Sequence, residues 1–173
     1  MRFKKIILST TLLIALTGCG SVPRKPDVNR DTLAVKQVVE DFRMAILNKD
    51  KTSYMGLFFS SKPEDIVWQA VVDDAKLAKI RLDRPQAVKA RHIPTNNFVA
   101  LIDTVVASKA SEEERISNVQ VDTDGEIASA SFDYAYLSDG KVTNWGKEQW
   151  LLVRTEQGWK IVSVVYTIRD PEP

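Results

Sequence analysis

One cysteine, one histidine and no excess of either charge leave this 173-residue chain short of residues on which much protein chemistry depends. With Cys19 alone, no internal disulfide can form, so the fold must be held by packing. His92 has no second histidine with which to build a metal cluster and no Ser or Cys nucleophile motif beside it, so it reads as a surface or loop histidine rather than a base. No phosphate loop, dinucleotide fingerprint or calcium loop occurs, and neither a cofactor nor a metal is expected. The formal charge is +1, but Arg2, Lys4 and Lys5 sit at the extreme N-terminus; without them 21 basic residues face 23 acidic ones, a net of −2. That balance offers no basic face for nucleic acid. No internal repeat, low-complexity tract or second linker divides the chain.

What is present is the profile of one globular domain, with 44% hydrophobic and 27% charged residues. Ahead of it, residues 1–18 have the three-part layout of a secretory signal: the basic MRFKK, the eleven-residue apolar run IILSTTLLIAL and a small-residue cleavage site. The run is too short for a membrane helix, which needs ~20 apolar residues. Leu16-Thr17-Gly18-Cys19 resembles the lipobox of bacterial lipoproteins. The resemblance implies a diacylglyceryl thioether on Cys19, cleavage before it and acylation of the new amino terminus; the alternative is a free cysteine behind an ordinary signal. Lipid chains of this kind would anchor the protein stably to a membrane. Gly20, by resemblance to Gram-negative sorting signals that use Asp at that position for retention, implies the periplasmic face of the outer membrane. Residues 19–30, with two prolines and no apolar periodicity, suit an extended tether. The domain then spans 31–173.

Within it, Asp31 or Thr32 caps a predicted helix whose apolar residues Val35, Val38, Val39, Phe42, Ala45 and Ile46 recur at helical spacing. A short helix over 51–58, a strand over 66–72 and a helix over 96–107 follow; 73–94 has no decisive period. From Ile116 the pattern changes to strands at about 114–122, 127–137, 142–154 and 159–168, separated by Asp124-Gly125, Asp139-Gly140 and Gln157-Gly158. Helices first and then a hairpin-connected antiparallel meander is an α+β layout.

That order, together with Gly158-Trp159-Lys160-Ile161 and the stretch DGKVTNWGKEQWLLVRTEQGWKIVSVVYT, resembles the nuclear transport factor 2-like superfamily over about 31–168. The resemblance implies a cystatin-like cone: helices on a curved sheet, commonly with a pocket at the open end. It does not choose among the enzymes, binding proteins and scaffolds that share the fold.

Counting back from two-residue turns at Asp139-Gly140 and Gln157-Gly158 pairs Tyr134 with Trp145, Ser131 with Glu148, Ser129 with Trp150 and Glu148 with Thr167. One sheet face then carries Ile127, Ser129, Ser131, Asp133, Glu148, Trp150, Leu152, Trp159, Ile161, Ser163, Val165 and Thr167. The other carries Ala128, Ala130, Phe132, Tyr134, Trp145, Leu151, Val153, Val162 and Val164. One face must pack on the helices, and the other offers a surface for a homodimer or another protein partner. On the first face Trp150, Trp159, Glu148, Ser131 and Thr167 are the candidate ligand-binding residues. Asp133 and Glu148 become diagonal neighbours, either a carboxylate pair able to raise one pKa or a solvated polar patch. The tryptophans read first as core or cross-strand packing and second as ligand platforms. Lys76, Lys79, Arg81, Arg84, Lys89 and Arg91 either steer an anionic ligand or form a solvated segment.

Two functions fit. The first is a non-enzymatic, membrane-anchored domain binding a small apolar or amphipathic molecule or a protein. The second, by resemblance to the superfamily's isomerases and dehydratases, uses Asp133 or Glu148 as proton carrier with Tyr134 or Tyr136 as donor. A carboxylate buried in a pocket favours the second; both carboxylates exposed would remove it.

Overall fold

The computed structural model describes residues 27–171; Cys19, the signal segment and most of the tether lie outside them. Helix α1, Val28–Leu47, begins four residues earlier than the sequence suggests. Asp27, not Asp31, is its cap, accepting a hydrogen bond from Arg30 N at 3.2 Å, and Asp31 is buried in the first turn. The expected stripe from Val35 to Ile46 is buried throughout and packs mainly on the far strand of the sheet. Helix α2, Lys51–Gly56, is capped by Asp50 and brings Tyr54 into the core.

After a 3-10 turn at Pro63–Asp65, strand β1 runs Val67–Val72. The segment without a decisive period contains α3, Asp74–Asp83, held by the Asp73 cap and burying only Leu77. Such a helix has almost no apolar stripe to announce it. Helix α4, Phe98–Ala107, is capped by Asn97 and buries Phe98, Ile102 and Val105.

Strands β2, Glu112–Thr123, β3, Ile127–Ser138, β4, Lys141–Thr155, and β5, Gly158–Ile168, form the expected antiparallel meander. Strand β1 joins it in parallel at β5, giving the order β1-β5-β4-β3-β2. The Asp139-Gly140 turn has φ of +49° and +74°, as a primed hairpin turn requires, and Ser138 pairs with Lys141 as counted.

Beyond that turn the register departs from the count. An irregularity at Tyr136/Leu137 moves Tyr134 opposite Gly146, Ser131 opposite Gln149 and Ala130 opposite Trp150. The next turn is Glu156-Gln157, one residue early, and a second irregularity at Leu151/Leu152 sets Glu148 against Tyr166 and Trp150 against Val164. Because side chains alternate, a one-residue slip exchanges faces. The helix-covered face therefore carries Ala128, Ala130, Phe132 and Tyr134 with Glu148, Trp150, Leu152, Trp159, Ile161 and Val164, a mixture of the two expected sets.

The core beneath the helices is aromatic. Phe42 and Phe132 each meet the Trp150 ring edge-on at 4.9 Å, and Phe58 stacks on Phe98 at 4.2 Å.

Candidate functional site

Between α1, α4 and the curved sheet lies a cavity of about 410 Å³. Its floor is built by strand alternation: Glu112 and Glu114 from β2, Tyr134 and Tyr136 from β3, Asn144 and Glu148 from β4, and Tyr166 and Ile168 from β5. Phe42 and Trp68 enclose it on one side, and Asn96, Leu101 and Thr104 on another.

Three carboxylates thus sit in a largely covered space, and burial has a different consequence for each. Glu148 is 5% exposed and accepts a hydrogen bond from Trp150 Nε1 at 2.7 Å. Burial outweighs that bond and pushes its carboxyl up to about 7. Glu114 is 3% exposed; burial first and the Glu148 charge second hold its carboxyl well above the usual range, and its Oε1 has no hydrogen-bond partner. Glu112, by contrast, is satisfied by the Ser108 and Ser138 hydroxyls at 2.7 and 3.2 Å.

The tyrosines surround this pair. Tyr134 Oη donates to the Thr167 carbonyl at 2.8 Å, reaching past its cross-strand partner Gly146, and lies 3.0 Å from Asn144 Oδ1. Tyr166 accepts from Asn96 Nδ2 at 3.3 Å. Burial raises all three lining phenols, Tyr134, Tyr136 and Tyr166, so they remain protonated donors. Tyr54, wholly buried behind the cavity, has a hydroxyl without a partner.

Of the residues singled out from the sequence, Glu148 and Tyr134 meet in the cavity, joined by Tyr136. Asp133 does not: the shifted register puts it on the opposite face, where the Asn118 Nδ2 hydrogen bond at 2.7 Å and then Lys147 Nζ at 3.0 Å lower its carboxyl. The expected Asp133–Glu148 pair is therefore replaced by Glu114–Glu148. Ser131 leaves the cavity face by the same slip, and Thr167 alternates away from it, its hydroxyl accepting from Lys147 N at 3.0 Å. Trp150 and Trp159 lie in the core and do not line the cavity. Trp145 is on the outer face, 40% exposed, under the Arg169 guanidinium at 5.0 Å.

His92 is exposed. In the neighbouring basic segment Lys76 and Lys79 both pair with Asp170, the latter at 3.0 Å, and Lys89 pairs with Asp74 at 2.7 Å. These charges are engaged at the surface. Glu114 was missed because SEEERI is a run of like residues; alternation alone, with Glu112, Glu114 and Ile116 on one side, carried the signal.

The architecture recurs in solved structures. The fold is nuclear transport factor 2-like, also called cystatin-like. A candidate dehydratase of that family from Streptomyces avermitilis matches with a TM-score of 0.55 at 16% identity, over 83% of this chain and 99% of the other. A candidate aromatic ring hydroxylase from Novosphingobium aromaticivorans gives 0.54 at 19%, over 83% and 92%. A nuclear transport factor 2-like protein of unknown function from Pseudomonas putida gives 0.55 at 10%, over 80% and 87%. At these identities the likeness is one of fold. No protein-family model matches the sequence, and no curated protein does.

Proposed function

We propose that the protein is a membrane-anchored periplasmic lipoprotein whose cone cavity binds a small, partly apolar molecule. The observation that carries the binding role is the Glu114–Glu148 carboxylate pair, buried in a cavity of ligand size with one oxygen unsatisfied. A buried polar atom without a partner costs ~1–3 kcal/mol, more when charged, and a ligand donor would remove that cost. The signal layout and the Cys19 lipobox support the anchor, and Gly20 supports the outer membrane.

A second reading is proton transfer. Glu148 meets the condition set out above for an enzyme: a carboxyl inside a pocket, pushed up to about 7, where it can both take and give a proton near neutrality. Tyr136 would then be the hydrogen-bond donor to the substrate, since the Tyr134 hydroxyl proton is committed to the Thr167 carbonyl. The candidate dehydratase and hydroxylase among the structural neighbours lend this reading an analogy of fold alone.

Native mass spectrometry of the protein purified from envelopes tests the first reading. A retained small molecule that is lost in Glu114→Gln and Glu148→Gln, but kept in Asp133→Asn, is the expected result. Retention unaffected by either cavity substitution would place the ligand elsewhere. Chemical turnover of the retained molecule that stops in Glu148→Gln would select the second reading.

A further inference from the structure

The cavity wall also specifies the charge of its ligand, an inference that rests on the small-molecule reading and narrows it. None of the fifteen lining residues is Lys, Arg or His, while three are glutamates. Glu112 is satisfied by serine hydroxyls, but Glu114 keeps a free Oε1 at 3% exposure. The Glu148 charge disfavours ionisation of Glu114, and no cationic residue in the wall compensates the pair. A positive group from outside would.

A metal ion fits poorly, since among the described residues no group of three His, Cys, Asp or Glu side chains is placed to hold one. An ammonium group needs less: a few acceptors and a pocket that accommodates its carbon skeleton. Glu114 Oε1, Glu148 and the tyrosine hydroxyls are the acceptors, and Phe42, Trp68 and Leu101 supply apolar and aromatic surface, the rings adding cation–π attraction. We propose that the cavity binds a small organic cation, a primary amine on an aromatic or aliphatic body, with its ammonium group against Glu114 and Glu148.

The test compares three probes of nearly equal size and different charge: phenethylamine, 2-phenylethanol and phenylacetate. Each is titrated calorimetrically into the purified full-length protein at about pH 8, where the amine is charged and Glu148, its carboxyl pushed up to about 7, is mostly ionised. Hydrogen bonds to charged groups predict that phenethylamine binds about tenfold or more tighter than the alcohol and that phenylacetate does not bind. Glu114→Gln and Glu148→Gln, each checked for an intact melting transition, should each shrink that ratio to about threefold or less; Asp133→Asn should leave it unchanged. Equal affinity for alcohol and amine overturns the cation inference while leaving the small-molecule cavity standing. Preference for phenylacetate, or a ratio that survives both glutamine variants, also overturns it. Closure of the ratio by Asp133→Asn does so as well, by placing the amine on the outer face. Binding of none of the probes counts against the cavity reading too.

Discussion

Trp150 donates its indole N–H to Glu148 Oε2 across 2.7 Å, two positions apart on the covered face of β4. Each needs the other. The indole is fully buried and would lose its hydrogen-bond partner without the carboxylate, while the carboxylate gains one donor against the cost of leaving water. One donor is not enough, and burial still dominates the Glu148 pKa.

That imbalance predicts an unusual pH dependence. The folded Glu148 carboxyl, at about 7, lies above its ordinary value of 4.5, and Glu114 shifts the same way. The folded state therefore binds protons more tightly than the unfolded one. The associated stability is fully present below about 4.5 and is lost as pH rises through about 7. The groups facing the pair are Glu112, Tyr54, Tyr134, Tyr136 and Tyr166, none of them cationic. Without ligand, the melting temperature should fall between about pH 5 and 8, reflecting up to roughly 3 kcal/mol. Glu148→Gln, which keeps an acceptor for Trp150, should melt higher than the parent at the upper end, and adding Glu114→Gln should flatten the profile. A parent protein that gains stability across that range would contradict the buried, uncompensated pair.

Two of the tryptophans of NWGKEQWLLVRTEQGWKI, Trp159 and Trp145, should separate by cost. Trp159 is 6% exposed in the core, and Trp159→Ala should remove ~3–5 kcal/mol in urea unfolding. Trp145 packs on the outer face, donating to the Asp170 carbonyl at 3.0 Å and lying beneath Arg169. Its alanine variant should lose about 1 kcal/mol, the scale of an exposed cation–π contact and a neutral hydrogen bond. Equal losses would mean that the core and outer-face assignments are wrong.

Element types were legible because their causes are local. The α1 stripe, the Asp139-Gly140 turn and the change of period at Ile116 each follow from neighbouring residues. The candidate site was legible only in Glu148, Tyr134 and Tyr136, because which residues share its face depends on two strand irregularities and an early turn that no residue type announces. One slip moved Asp133 and Ser131 out of the cavity face and brought in Tyr134. Helix α3 was illegible for the opposite reason, its single buried Leu77 giving no period.

The anchor is tested by Cys19→Ser. If Cys19 carries the lipid, the substitution should move the protein from the membrane fraction to a soluble or unprocessed form on fractionation and immunoblotting. Unchanged membrane association at the mature size would remove the lipoprotein reading and leave the cavity proposals intact.

Gly146 tests the geometry of the site floor itself. A Cβ on it would lie 2.1 Å from the Thr167 carbonyl oxygen and 2.7 Å from Thr167 Oγ1. The carbonyl is backbone and already accepts the Tyr134 hydroxyl at 2.8 Å, so it cannot swing aside without releasing that phenol. The hydroxyl likewise accepts from Lys147 N. Gly146→Ala must therefore push β4 and β5 apart where Tyr134 enters the cavity, although alanine is otherwise the mildest replacement. The strain belongs to the overpacking class, ~1–3 kcal/mol. We expect a lower melting temperature together with weakened ligand retention, whereas Gly56→Ala, with nothing within 4 Å of the new carbon, should change neither. A Gly146→Ala protein with parental stability and retention would show that β4 and β5 do not approach this closely and that Tyr134 is not held by Thr167.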